Sequence, residues 1–184
     1  MGGDTMIEIL NDLINFTEND KELKDHINYL LLKTINYDTL GKYKILHVDN
    51  KNIRFYWYAG KFLSNRKVKK ELGMPPWDED RKNWLLVLDE DECIALSSYY
   101  FNSNNKKGYL KSSYVIEKYR GKGIYTYLFK KRLKLLSENK NLKLITGTAT
   151  EMSKPVYEKF NFENVIMKGK YYVFEKEIKN NEKN

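Results

Sequence analysis

Tyr114-Val115-Ile116-Glu117-Lys118-Tyr119-Arg120-Gly121-Lys122-Gly123-Ile124-Tyr125 carries a β-rich run through two closely spaced glycines into a helical pattern, and its reading decides the fold. Without a Cβ, Gly121 and Gly123 let the backbone approach a ligand closely. The unpaired N–H groups of the first helical turn, together with the positive end of the helix dipole, point at whatever sits there. The segment therefore predicts an anion site whose natural occupant is a diphosphate. Neither common nucleotide fingerprint fits, because G-x-G-x-x-G needs a third glycine where Thr126 stands, and G-x-x-x-x-G-K-[ST] has no match.

Downstream of this turn the pattern reads as a helix from Gly123 to Glu138, a strand from Leu142 to Thr148, a helix from Ser153 to Phe160 and two strands flanking Gly169. Upstream lie three strands, Trp84 to Leu88, Cys93 to Phe101 and Tyr109 to Ile116, broken by Asp89-Glu90-Asp91 and by Asn102 to Gly108 and expected as antiparallel neighbours. Before them, Tyr43 to Val48 and Ile53 to Tyr58, separated by Asp49-Asn50-Lys51-Asn52, read as strand, turn and strand. A helix is expected from Lys61 to Leu72, stopping at Gly73, and Met74-Pro75-Pro76-Trp77-Asp78-Glu79-Asp80 reads as a loop, the best candidate for a substrate-facing segment. At the start, Thr5 and Glu8 form a capping box ahead of Met6, Leu10, Leu13 and Ile14, and Leu23, Ile27, Leu30 and Leu31 repeat the helical stripe. These elements predict an N-terminal helical extension over 1–40, one mixed α/β domain over 41–178 and a polar, disordered tail over 179–184.

A chain of 184 residues that is 41% hydrophobic can bury one proper core. The formal charge of +8 favours anionic partners, nucleic acid and phosphorylated cofactors among them, although the accompanying richness in Lys, Asn, Ile and Tyr is also what an AT-rich genome produces. A single cysteine, Cys93, excludes an intramolecular disulfide and fits a reducing cytoplasm, and its apolar neighbours predict a buried, unreactive thiol. No apolar stretch approaches the ~18 residues of a membrane span, so no membrane partner is expected. His26 and His47 show no metal-ligand spacing with each other or with Cys93, so no metal is expected.

The glycine turn resembles the acyl-CoA loop of the GNAT superfamily of N-acetyltransferases, whose pattern is [QR]-x-x-G-x-[GA]. Arg120 and Gly123 match it, and Tyr125 stands where Gly or Ala is usual. Further on, Tyr157-Glu158-Lys159-Phe160-Asn161-Phe162 resembles the family's Y-x-K-x-G-F segment, with Asn161 in the glycine position. The order β-β-β-α-β-α-β-β also coincides with the GNAT arrangement over about 43–178, a central, mostly antiparallel sheet with flanking helices. The resemblance implies an N-acyltransferase moving an acyl group from acyl-CoA, acetyl-CoA foremost, to an amine by direct attack in a ternary complex. A basic nucleic-acid-binding or nucleobase-modifying protein on the same fold is the alternative.

Carried over residue by residue, the resemblance implies that the N–H groups of Gly121, Lys122, Gly123, Ile124, Tyr125 and Thr126 line the pyrophosphate, with Arg120 leading into the loop. It implies that the backbone of Ser113, Tyr114 and Val115 pairs with pantetheine as an added strand would, the Val115 N–H polarising the thioester carbonyl. Thr150 falls where many members carry an Asn on the cofactor, and Tyr125 either narrows or reshapes the pyrophosphate groove. Tyr157 falls where the family's tyrosine meets the departing thiolate, and the chemistry agrees: a phenol of reference pKa about 10 can hydrogen-bond or protonate a thiolate whose reference is about 8.5. An amine at pH 7 is only about one part in a thousand neutral, so its proton also needs an acceptor. His47, Glu92 and Tyr99 are candidates on or beside central strands, and none of them is assigned. Lys130, Lys131, Arg132 and Lys134 could reach an adenosine 3′-phosphate or form a solvated helix face. Lys61 to Lys70, with five basic residues and no acid, could lie along phosphates with Tyr56, Trp57 and Tyr58 stacking on bases, or be a solvated face as well.

Overall fold

The computed structural model describes residues 37–178. The chain divides between Tyr37 and Asp38 into two units, and the second is described below. The capping box at Thr5, the helical extension as far as residue 36, His26 and the tail over 179–184 lie outside the described residues.

Eight strands form one sheet in the order β1-β2-β3-β4-β5-β6-β8-β7. They are β1 (Asp38–Leu40), β2 (Tyr43–Asp49), β3 (Asn83–Asp89), β4 (Glu92–Asn102), β5 (Lys107–Val115), β6 (Leu144–Ala149), β7 (Glu163–Lys168) and β8 (Tyr171–Glu177). Every pairing is antiparallel except β5 with β6. The helices are α1 (Ile53–Leu63), α2 (Arg66–Leu72), α3 (Ile124–Ser137) and α4 (Lys154–Lys159). The mixed α/β fold matches the expectation, with β3, β4 and β5 antiparallel neighbours as read.

One element differs in kind. Ile53 to Tyr58, expected as a strand, begins helix α1. Its aromatic composition suits a pleated strand, but the burial follows the helical period: Phe55, Tyr58, Ala59 and Phe62 are buried at i, i+3, i+4 and i+7. The Asn52 side chain caps this helix by accepting from the Arg54 N–H at 3.1 Å. The single helix expected over Lys61 to Leu72 is instead the end of α1 plus α2, because the Asn65 side chain caps a new start by accepting from Lys67 and Val68. Gly73 closes α2 in the left-handed conformation, φ 82°, as its position after the last periodic residue predicted. The β1 strand, paired antiparallel with β2, falls inside the span assigned to the helical extension.

Strand alternation sends neighbouring residues to opposite faces. On one face Leu85, Val87, Ile94 and Val115 meet Ile124 and Leu128 of α3. The same helix sends Phe129 and Leu136 into a second cluster with Leu110, Ile145, Tyr157 and Phe174. Burying such a side chain contributes roughly 1.5–3 kcal/mol, so α3 is anchored across both halves of the sheet. On the other face α1 packs through Phe55 against Trp84, ring centroids 4.9 Å apart, and through Phe62 against Tyr114. Among the described residues no helix is long and apolar enough to cross a membrane.

Candidate active site

The decisive feature is a split in the sheet. The parallel pairing of β5 with β6 covers only Lys107 to Leu110 against Leu144 to Gly147. Beyond it β5 continues through Val115 and β6 through Ala149, each held by its other neighbour. A register shift explains the parting. Ser97 faces Ser113 but Ser98 faces Lys111, so Ser112 is an extra residue on β5, and a bulge of this kind bends the strand that carries it. The bend begins where contact with β6 ends.

The orientation of the freed backbone follows from the ladder. The Ile116 N–H donates to Ile94 O at 3.0 Å, which makes that pair hydrogen-bonded. Bonded and non-bonded pairs alternate in an antiparallel ladder, so Val115, opposite Ala95, turns its N–H and C=O away from β4, and so does Ser113. The Val115 carbonyl accepts from Arg120 Nε at 3.0 Å, as this orientation requires. Its N–H lies on the cleft side.

A cavity of about 750 Å³ occupies the split. Of the residues singled out from sequence, Ser113, Tyr114, Val115, Arg120, Gly121, Gly123, Ile124, Tyr125, Thr126, Thr150 and Tyr157 all border it, and Lys122 does not. The structure thus brings together two motifs that lie more than thirty residues apart in the chain.

At one end, Gly121 and Gly123 both have positive φ, 75° and 77°. A Cβ at either would meet no heavy atom within 4 Å, so these glycines are required by backbone conformation, and the space beside them is open. Gly123 caps α3 without any side-chain hydrogen bond, and no acidic residue stands in the first turn. The first intrahelical bond runs from Tyr127 N–H to Gly123 O. The N–H groups of Ile124, Tyr125 and Thr126 are therefore the orphan donors of a 14-residue helix, an arrangement that fits a diphosphate.

Two side chains of this turn also make contacts within the fold. Arg120 serves as a strut: besides its bond to Val115 O, its guanidinium pairs with Glu71 at the end of α2 and lies over the Tyr114 ring. Tyr125 borders the cavity. Its ring packs towards Phe129, centroids 6.3 Å apart, and burial raises the pKa of its hydroxyl against the opposing effect of Arg132 and Ser153.

Tyr157 stands at the point of the split. Its ring is gripped by Phe129, Phe162 and Phe174 at centroid distances of 4.7, 5.4 and 5.0 Å. The hydroxyl passes over Gly147, where an added Cβ would come within 2.4 Å of it. Gly147 is also the last β6 residue paired with β5. Burial drives the phenol far above its ordinary pKa, keeping it protonated at any working pH. Gly147 was missed in the sequence, where a lone glycine inside a predicted strand was the available sign of a close approach. Thr150 borders the same end, its backbone N–H bound to Ser153 Oγ at 3.0 Å at the start of α4.

Behind Tyr157 lies a buried charge. Arg132, expected on a basic helix face, is 1% exposed. Its Nη1 donates to the carbonyls of Ser98 and Lys111, both at 3.2 Å and both at the β4–β5 register shift. Arg132 thus satisfies carbonyls that the bulge would otherwise strand, while its Nη2 has no partner. The hydroxyls of Tyr125 and Tyr157 lie close enough to favour its charge. Lys131, from the same run, pairs with Asp38 at 2.6 Å. The run is therefore no single face directed at a phosphate.

The opposite wall comes from the segment after α2 and from β8. Tyr171 Oη donates to Leu72 O at 2.8 Å, crossing a space that Gly73 leaves free, since a Cβ there would sit 1.7 Å from that oxygen. Met74, Pro75, Pro76, Trp77, Glu79 and Lys82 continue this wall, as expected of the loop proposed to face substrate. None of the three proton-acceptor candidates borders the cavity. His47 Nε2 is bonded to Tyr99 Oη at 2.8 Å, with the imidazole pKa lowered by burial, and Glu92 is paired with Lys61 and Lys118. The carboxylates that do border it are Glu71, missed in the sequence, and Glu79, from the loop expected to face substrate. Cys93 is buried as expected, its thiol pushed up to about 12 by burial. The described residues contain no group of three or more His, Cys, Asp or Glu able to hold a metal ion.

In the basic segment, Lys61 and Lys67 are engaged with Glu92 and Glu117, and Arg66, Lys69 and Lys70 are exposed. The aromatic stretch before it is helical, so Tyr58 is buried and Tyr56 bonds Asp78 at 2.6 Å. That arrangement takes Tyr58 out of any stacking surface and leaves Tyr56 half exposed.

Residues 54–162 match the acetyltransferase (GNAT) family, which is more than half of the chain. Among solved structures, a GNAT-family acetyltransferase from Staphylococcus aureus is similar with a TM-score of 0.56 at 15% identity, covering 73% of this chain and 99% of that one. The spermidine N-acetyltransferase of Vibrio cholerae, in complex with CoA and spermine, is similar at 0.56 and 13%, covering 75% and 96%. The PaiA N-acetyltransferase of Thermoplasma acidophilum, in complex with coenzyme A, is similar at 0.52 and 12%, covering 74% and 99%. At these identities the likeness shows the fold. No curated protein matches by sequence.

Proposed function

Because the chain belongs to the acetyltransferase (GNAT) family, we propose that it is a cytoplasmic acyl-CoA-dependent N-acyltransferase that moves an acetyl group to an amine within a ternary complex. The observation that carries this reading is the split between β5 and β6. An uncapped helix N-terminus with two left-handed glycines lies at one end of the split and a protonated tyrosine lies at its point.

Acyl-CoA supplies an activated acyl group on a thioester whose thiolate must leave as the amine attacks. For that chemistry the orphan N–H groups at the start of α3 hold the diphosphate with main chain alone. The cleft-facing backbone of Ser113 and Val115 orients an extended chain as an added strand would be oriented, and the Val115 N–H donates to the carbonyl oxygen on which charge develops. Tyr157 donates its O–H as a hydrogen bond to the departing sulfur, which leaves as the thiolate and takes its proton from solvent. The proton of the attacking nitrogen leaves by a route to which no side chain is assigned. A nucleic-acid-binding module on the same fold is disfavoured by the ion pairs of Lys61 and Lys67 and by the helical burial of Tyr58.

The test is thermal unfolding of the full chain with CoA, acetyl-CoA, NAD and ATP. At a hundredfold over the dissociation constant CoA stabilises by about 2.7 kcal/mol, while NAD and ATP shift the transition little. An unchanged transition with both CoA and acetyl-CoA overturns the proposal.

A further inference from the structure

An exposed tryptophan that is nonetheless fixed in place borders the cavity on the side away from the glycine turn. Trp77 is 62% exposed, yet both of its ends are tied. Its carbonyl accepts from Lys82 Nζ at 2.6 Å, and its indole Nε1 donates to Glu79 Oε1 at 3.1 Å. Lys82 is itself only 2% exposed, and burial lowers its pKa. A buried ammonium is costly to a fold, and here it secures one loop carbonyl. Fixing an aromatic side chain before a ligand arrives removes an ordering cost of about 0.5–1.5 kcal/mol from binding. Met74 and Met152, 58% and 72% exposed, border the same cavity and add polarizable apolar surface.

The charges around this wall are already matched. Glu71 is paired with Arg120, and Glu79 is held by Lys82 at 3.6 Å as well as by the indole. Among the described residues bordering the cavity, both carboxylates are thus already engaged, and Lys111 is a cation that neither of them pairs.

We infer that the acceptor is a primary amine carried on a flat apolar body, an aralkyl monoamine, whose ring rests on the fixed face of Trp77 while its nitrogen reaches towards the β5–β6 split. This rests on the acyltransferase reading and adds to it the chemical class of the acceptor. A polyamine is disfavoured by the same arrangement, because its further positive charges would meet Lys111 and two carboxylates that are already paired.

The experiment measures release of free CoA thiol from acetyl-CoA with 2-phenylethylamine, ethylamine and spermidine as acceptors. Phenylethylamine is expected to exceed spermidine in kcat/KM by about tenfold or more, and Trp77→Ala to raise the KM for phenylethylamine by ~10-fold or more, in the range of one aromatic stack removed. Trp77→Phe keeps a ring and should recover part of that loss. Lys82→Met, which leaves the Trp77 carbonyl without its donor, should raise the same KM. The CoA-induced thermal shift should persist in all three variants. Faster turnover of spermidine, equal use of phenylethylamine and ethylamine, or no turnover of any of the three while the CoA shift is present overturns the acceptor class. Absence of the CoA shift in the parent protein overturns the acyltransferase reading itself.

Discussion

The two ends of the cavity are built by opposite means. The end at Gly121 and Gly123 presents main chain: orphan N–H groups, left-handed glycines and the freed edge of β5, with Arg120 turned aside as a strut. The end at Trp77 presents side chains, an indole and Met74, with Lys82 and Tyr171 holding loop carbonyls from behind. A site made of main chain accepts one ligand chemistry whatever its side chains are, whereas a site made of side chains changes with each substitution. The first therefore suits the constant partner of a family and the second the partner that varies.

The largest effect should come from putting a charged side chain on the main-chain end. Gly123→Asp forces an L residue into φ 77° and sets a carboxylate beside the orphan N–H groups of α3. It should abolish the CoA-induced shift completely, measured by thermal unfolding. A shift retained in the variant would mean that the diphosphate is held elsewhere, and the contrast between the two ends would fail.

Next in size is the point of the split. Tyr157→Phe keeps the ring among Phe129, Phe162 and Phe174 but removes the hydrogen-bond donor, so kcat should fall by ~100-fold with CoA binding preserved. Gly147→Ala should fall with it, because the added Cβ would meet the hydroxyl at 2.4 Å and displace it. Full turnover in Tyr157→Phe would leave the tyrosine a core residue and transfer the leaving-group role to water.

The same contrast explains what could be read from the chain alone. The glycine turn, the strand before it and the Tyr157 segment were legible because main-chain sites leave fixed marks: glycine where φ must be positive, and a strand running into a helix. The split was not, since a bulge at Ser112 shows no mark in Ser97, Ser98 or Ser113. Arg132 and Lys82 were misjudged or passed over because a cation normally reads as exposed, and only packing shows each to be buried against carbonyls. Helix α1 was misread because Arg54-Phe55-Tyr56-Trp57-Tyr58 is rich in strand formers, although Asn52 and the spacing of Phe55, Ala59 and Phe62 carried the correct signal. Tertiary packing on Trp84 outweighed local propensity there.

The smallest effect is expected from the basic segment outside both ends. Replacing Lys67, Lys69 and Lys70 with Gln removes three exposed charges, one of them paired with the equally exposed Glu117 across 2.8 Å of screened surface. None of the three borders the cavity, so the CoA shift and turnover of phenylethylamine should stay within error of the parent. The informative measurement is retention on duplex DNA as a function of salt. An acceptor of the aralkyl class leaves that retention weak in parent and variant alike. A parent that binds tightly, with a slope that flattens in the variant by about 0.9 log units for each phosphate no longer neutralised, would make a nucleic acid the partner of this surface. The aromatic wall at Trp77 would then have to receive a base instead of a free amine.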